Sequence, residues 1–218
     1  MDFHSLTIIC GHYGTGKTNL SLNIAINAAK TGRSVTLVDL DIVNPYFRSS
    51  DYLTLLREHG IHLIAPGSAG STLDVPALPA EIYSVFDSPD FVIFDIGGDD
   101  AGATALGRFS SNITVHGYEM LYVINRYRPM TSHSPDAVEL LREIETASRL
   151  KATGIINNSH LMTLTNEQTV LDSLEFAKET ARALKLPIKM TAVPETLPVN
   201  PDIPGGYPIK IYVRAPWM

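Results

Sequence analysis

Residues 10–20 read CGHYGTGKTNL, and within them Gly11, Gly16, Lys17 and Thr18 keep the spacing G-x-x-x-x-G-K-[ST]. The preceding LTIIC is apolar and of strand length, whereas the following KTNLSLNIAINAAKTG carries apolar residues at helical spacing and closes on Gly32. A strand, a glycine-rich turn and a helix in this order restrict the fold severely. Gly11, Gly14 and Gly16 free the backbone to turn its N–H groups inward. At the positive end of the helix dipole those groups form a nest for phosphate oxygens. Such a unit is built on the carboxyl edge of a parallel sheet.

The remainder of the chain supplies the sheet. Short apolar runs at Leu6–Cys10, Ser34–Asp39, His62–Ala65, Phe91–Asp95, Met120–Asn125, Thr153–Asn157 and Ile188–Val193 alternate with helix-period segments. Most are apolar throughout, as befits strands covered on both sides. The expected fold is therefore α/β: a three-layer P-loop NTPase fold with a mostly parallel central sheet and helices on both faces. Thr165-Asn166-Glu167-Gln168 reads as a T-x-x-Q capping box opening a helix through Leu184. Ser134 before Pro135 reads as the N-cap of a helix through Leu150.

One domain is expected at 1–196, followed by a Pro/Gly-rich arm of the same domain at 197–218, with a last short strand at Ile209–Val213. Apolar residues at 44% and charged residues at 18% describe a globular protein. No apolar run approaches the roughly 20 residues that span a bilayer, and MDFHSLTIIC reads as a first strand rather than a secretory leader. A cytoplasmic location is expected. The net charge of −6 and the lack of any Lys/Arg cluster argue against nucleic acid and against an electrostatic membrane anchor. Cys10 is the only cysteine, which excludes an intrachain disulfide and a cysteine metal site. The histidines His59, His62, His116, His133 and His160 lack metal-ligand spacing.

Within the loop, Gly11, Gly14, Thr15, Gly16, Lys17, Thr18 and Asn19 are the candidate nucleotide contacts. Lys17 would reach the β- and γ-phosphates and the Thr18 hydroxyl would ligate Mg²⁺. Mg²⁺ also calls for carboxylates. VTLVDLD ends in Asp39 and Asp41, and FVIFDIGGDD carries Asp95 before Gly97 and Gly98. Both strand ends belong to the sheet edge where a ligand would sit.

The succession GHYGTGKT, VDLDIVNP and FVIFDIGG resembles the MinD/ParA group of P-loop ATPases, within the wider class that holds dethiobiotin synthetase and the nitrogenase iron protein. The resemblance covers about residues 5–195. It implies that Asp41 holds the attacking water or Mg²⁺ in a first switch, and that Asp95 binds Mg²⁺ through water. It also implies that the Gly97–Gly98 backbone senses the γ-phosphate. GIINNSH and TAVPET resemble the group's base-binding strand ends, so Asn157 would hydrogen-bond adenine and the Ala192–Glu195 loop, with Pro194, would flank it. The guanine pattern N-K-x-D is absent, which favours ATP over GTP. Asn19, Asn23 and Asn27 share a helix face and suit internal hydrogen bonding, apart from the Asn19 amide at the phosphates.

The chain departs from the group at one place. The group's loop carries a lysine where this chain has His12, followed by Tyr13. Imidazole is shorter than lysine and mostly neutral near pH 7, so catalysis across a nucleotide-sandwiched homodimer loses its usual cation. His12 itself, or Arg48 in NPYFRSS, could compensate. Tyr46 and Phe47 read as packing residues or a partner contact. Three functions remain open: a slow Mg²⁺-dependent ATPase switching affinity for an unidentified protein partner through loops 44–50 and 97–102, a module that holds nucleotide without hydrolysing it, or an ATP-dependent small-molecule ligase. The ligase would use APGSAGSTLDVPALPAEI, residues 65–82, as its substrate loop.

Overall fold

The computed structural model describes residues 2–41, 52–66, 80–198 and 200–213. Eight strands follow in chain order: β1 Leu6–Cys10, β2 Val35–Leu40, β3 His62–Ile64, β4 Phe91–Ile96, β5 Glu119–Ile124, β6 Gly154–Asn157, β7 Ile188–Pro194 and β8 Gly206–Ile209. They form one sheet in the order β3-β2-β4-β1-β5-β6-β7-β8, and each neighbouring pair is parallel. The helices are α1 Lys17–Lys30, α2 Leu53–Glu58, α3 Asp100–Gly107, α4 Ser110–His116, α5 Ser134–Ser148, α6 Glu167–Leu171 and α7 Leu174–Leu184.

Strands that read as continuous apolar runs divide their side chains between two cores. Ile8, Cys10, Phe94, Tyr122 and Ile155 face one core, shared with residues of α3, α4, α5 and α7. Ile9, Ile93, Val123 and Ile156 face the other, shared with Leu20 and Ile24 of α1 and Leu56 of α2. This alternation within an apolar run is what a strand covered on both faces requires. Among the described residues, no helix is long and apolar enough to cross a membrane.

Local expectations shift by a residue or two at several ends. Ser134 is the first residue of α5 rather than its cap, with His133 in the cap position and no side-chain cap bond. The capping box of α6 starts at Asn166, not Thr165: Asn166 Oδ1 accepts from Thr169 N at 2.9 Å and Asn166 N donates to Thr169 Oγ1 at 3.3 Å. Thr165 is already engaged, donating its hydroxyl to Met162 O at 2.7 Å. The single helix expected through Leu184 breaks before Leu174. There the Ser173 hydroxyl donates to Val170 O and accepts from Asn157 Nδ2, at 2.7 and 2.8 Å.

The arm joins the same sheet through β8, which lies earlier than the strand expected at Ile209–Val213. The residues after β8 spend their backbone groups on α1 instead. Asn23 Oδ1 accepts from Lys210 N at 2.8 Å, Asn23 Nδ2 donates to Lys210 O at 2.8 Å, and Asn19 Oδ1 accepts from Tyr212 N and Val213 N at 2.8 and 3.1 Å. Loop 44–50 with Pro45, Tyr46, Phe47 and Arg48, and most of the segment 65–82, lie outside the described residues.

Candidate nucleotide site

The turn between β1 and α1 needs its glycines for steric reasons. Gly11 has φ +149°, and a Cβ there would lie 2.5 Å from Val123 O; Gly16 has φ +89°, and its Cβ would lie 2.4 Å from Asn158 Nδ2. No L side chain fits either place without moving backbone or a packed amide. The turn closes on the His12 carbonyl, which accepts from Thr15 N at 3.3 Å, Thr15 Oγ1 at 2.9 Å and Lys17 Nζ at 3.0 Å. Gly16 caps α1 without a side-chain bond, and no acidic residue lies in the helix's first turn. The opening of α1 thus keeps its positive field for an anion.

Lys17 is only 7% exposed. Burial lowers its pKa, while the charges of Asp95 and Asp41, then Cys10 and Asp99, act in the opposite direction. Three carboxylates therefore gather on one ammonium. Asp39 stands beside Asp95 in the β2–β4 register, and its Oδ1 accepts from Asp41 N at 2.9 Å, fixing the exit from β2. Ser21 of α1 donates its hydroxyl to Asp95 Oδ1 at 3.1 Å. A Cβ on Gly97 would lie 3.3 Å from Asp41 Oδ1, and one on Gly98 would lie 2.5 Å from Tyr13 N and Cα and 3.0 Å from Lys17 Nζ. The loop after β4 thus rests directly on the phosphate loop. Asp99 caps α3 by accepting from Gly102 N at 2.9 Å.

No group of three His, Cys, Asp or Glu side chains among the described residues forms a metal cage. The excess of carboxylate over ammonium nevertheless fits Mg²⁺, which prefers one or two carboxylates, waters and substrate phosphates to an all-protein cage.

The asparagine that the resemblance implies at the base is Asn157, and its side chain is engaged on the other side of the sheet from the loop. Asn157 is fully buried; its Nδ2 donates to Ser173 Oγ at 2.8 Å and its Oδ1 accepts from Ser159 N at 3.3 Å. Its amide is spent beneath α7, away from the loop. Asn158 is the residue turned towards the loop, donating from Nδ2 to Thr15 O at 2.7 Å. Successive residues at a strand end point to opposite sides, and only the order β1-β5-β6 decides which side the loop occupies.

His160, which lacks metal-ligand spacing in the sequence, is buried beside Gly16, whose Cβ would lie 3.9 Å from His160 Nε2. Burial, and secondarily the charge of Arg128, holds its pKa down at about 4. Arg128 lies along the loop with its Cζ 3.4 Å from where a Gly14 Cβ would be. The segment bearing it is pinned by Arg126 Nη1 donating to Asp172 O at 2.8 Å and by the Tyr127 hydroxyl donating to Thr169 O at 2.6 Å. No sequence signal identifies Asn158, His160 or Arg128; each depends on strand order.

Two further candidates lie beyond the loop's own turn. The Asn19 carboxamide faces the C-terminal arm, with Nδ2 donating to Lys210 O at 3.1 Å, so only its backbone amide remains at the phosphate end. Pro194 is buried at the end of β7, three strands from β1. His12 turns its imidazole back on the loop, Nδ1 lying 3.0 Å from Tyr13 O, and Tyr13 is half exposed. Cys10 behaves as a buried apolar group, its thiol pushed up to about 12 mainly by burial.

Solved structures share this architecture. FtsY from Mycoplasma mycoides superposes with a TM-score of 0.57 at 18% identity, covering 87% of this chain and 60% of its own. A cell division protein FtsY from Thermotoga maritima gives 0.56 at 21%, covering 90% and 65%. Signal recognition particle 54 kDa protein from Aeropyrum pernix, solved in complex with GDP, gives 0.55 at 21%, covering 85% and 40%. The chain thus spans less than two thirds of each of these proteins, and at such identities the likeness concerns the fold. No curated protein sequence matches significantly. The model of the CobQ/CobB/MinD/ParA nucleotide binding domain matches residues 6–170. With its phosphate loop, both acidic strand ends and most of its sheet inside that match, this chain belongs to the CobQ/CobB/MinD/ParA nucleotide binding domain family.

Proposed function

We propose that the chain binds ATP with Mg²⁺ and hydrolyses it slowly, acting as a nucleotide switch for a protein partner. The observation that carries this reading is Lys17: a buried ammonium on the His12 carbonyl, drawn by Asp95 and Asp41 and touching the approach of Gly98. A γ-phosphate entering the loop would offer that ammonium a better partner than a carbonyl. Lys17 and the loop amides bind and orient the phosphates, while Asp41 orients the attacking water. Bound by Thr18, Asp41, Asp95 and Asp39, Mg²⁺ would neutralise charge on the β- and γ-oxygens. Gly98 sits close enough to Tyr13 and Lys17 for nucleotide state to reach α3 through the Asp99 cap, which gives a partner something to sense.

The test replaces Lys17 with methionine, similar in length but uncharged. Calorimetric titration with ATP and Mg²⁺ should show affinity falling about 10- to 150-fold, the worth of a charge-assisted hydrogen bond. Undiminished affinity would refute the site. One observation favours the non-hydrolysing reading: His12 is turned onto Tyr13 O at 3.0 Å and offers no fixed cation to the phosphates. Nucleotide recovered intact after prolonged incubation with Mg²⁺ would decide for it.

A further inference from the structure

The segment that leaves β5 runs beside the phosphate loop because β5 pairs with β1, Tyr122 lying opposite Cys10. A Cβ on Gly11 would meet Val123 O at 2.5 Å, so the end of β5 touches the first glycine of the turn. Arg128 touches the second: its Cζ and Nε both lie 3.4 Å from where a Gly14 Cβ would be. The backbone that carries it is held firmly. Arg126 N donates to Ser159 Oγ and Tyr127 N to Asn125 Oδ1, both at 2.9 Å. Arg128 N donates to Asn125 O at 3.2 Å, and Arg128 O accepts from Thr131 N at 3.0 Å. The two preceding side chains are also spent, Arg126 on Asp172 O and the Tyr127 hydroxyl on Thr169 O. The Arg128 guanidinium is exposed, and among the described residues it makes no hydrogen bond and no salt bridge.

Its place on the loop is informative. Gly98, whose Cβ would lie 2.5 Å from Tyr13 N and 3.0 Å from Lys17 Nζ, rests on the residue just before Gly14. Arg128 and the loop after β4 therefore meet neighbouring residues of the turn, from the β5 side and the β4 side of β1. This is the end of the loop where Lys17 would reach the terminal phosphates. Asp41 and Asp95 belong to the β4 side, so Mg²⁺ among them would approach the phosphates from there. On the β5 side His12 supplies no fixed cation, its imidazole being folded back onto Tyr13 O. We propose that Arg128 is the missing cation, supplied in cis, its forked N–H groups bonding one β- and one γ-phosphate oxygen. The site is then complete within one chain. This inference rests on the nucleotide-binding reading and adds to it the residue that tells a triphosphate from a diphosphate, the distinction a nucleotide switch needs.

The experiment is calorimetric titration of the full chain with ATP and ADP, in the presence of Mg²⁺, for wild type, Arg128→Gln and Arg128→Lys. Arg128→Gln should weaken ATP binding about 10- to 150-fold, the worth of a charge-assisted hydrogen bond, and ADP binding by less. Arg128→Lys keeps the charge without the fork and should fall between. Because the guanidinium bonds nothing in the protein, the Tm of both variants without nucleotide should match wild type. Wild-type affinity for ATP should be the same at low and at high protein concentration. If Arg128→Gln binds ATP as tightly as wild type, the inference is overturned while nucleotide binding stands. An equal loss for ATP and ADP, or a lowered Tm, overturns it too, since either marks a role other than reading the terminal phosphate. Affinity that rises with protein concentration means a second copy completes the site and overturns the assignment in cis. If wild-type protein binds no nucleotide, the proposed function fails and this inference fails with it.

Discussion

Acidification should destabilise this protein through His160 in a way that one substitution removes. The imidazole is buried beside Gly16, with its Nδ1 committed to Met162 N–H, and burial holds its pKa at about 4 against an ordinary 6.5. Above pH 6.5 the ring is neutral in folded and unfolded chains alike and contributes no pH dependence. Between 6.5 and about 4 the unfolded chain takes up a proton that the folded chain refuses, so stability falls as pH falls. At about 1.4 kcal/mol per tenfold difference in proton affinity, the whole window is worth about 3 kcal/mol. Urea unfolding followed by far-UV circular dichroism, from about pH 7.5 to about pH 4.5, measures the loss. Subtracting the same series for His160→Asn cancels the carboxylates and the other histidines. The difference should reach about 2 to 3 kcal/mol at the acid end. Parallel curves would refute the claim that His160 is held neutral by burial.

Two further outcomes probe the contacts that build the site and tie down its helix. Gly98→Ala forces a methyl to within 2.5 Å of the Tyr13 backbone, where no side chain can yield. Overpacking of this kind costs about 1 to 3 kcal/mol, a fall of about 2 to 12 °C in Tm for a chain of this size, with weakened ATP binding; Gly32→Ala, which meets nothing within 4 Å, should not weaken binding. Asn23→Ala strands the Lys210 N–H, costing about 1 to 3 kcal/mol, while Lys210 C=O keeps the bond from Asn19 Nδ2. It should also expose residues 206–213 to limited proteolysis, and an unchanged digestion pattern would show that the arm is held by other means.

Much of the fold is legible in local patterns. The apolar run of β1, the glycines of the turn and the helical spacing of α1 are consecutive in the chain, so their conformations follow from neighbouring residues and the φ angles only glycine adopts readily. The carboxylates Asp39, Asp41 and Asp95 are equally legible, because they end strands that must share one carboxyl edge in any parallel sheet. Helix caps are harder: Thr165 and Asn166 can both cap, and a hydrogen bond from Thr165 to Met162 O leaves the task to Asn166.

What local pattern cannot contain is which residues from distant segments meet. Asn157 and Asn158 are adjacent and chemically identical, yet one is consumed by Ser173 beneath α7 and the other is bonded to Thr15 of the loop. Asn19, a residue of the phosphate-loop helix, turns its side chain to an arm nearly two hundred positions later. The sequence by itself determined the phosphate nest, its lysine and its acidic counterparts, because backbone freedom, helix dipole and strand-end position are properties of short segments. The order of the strands in the sheet decided which asparagine, which histidine and which arginine stand beside that nest, because contacts between distant segments form only when the whole chain packs.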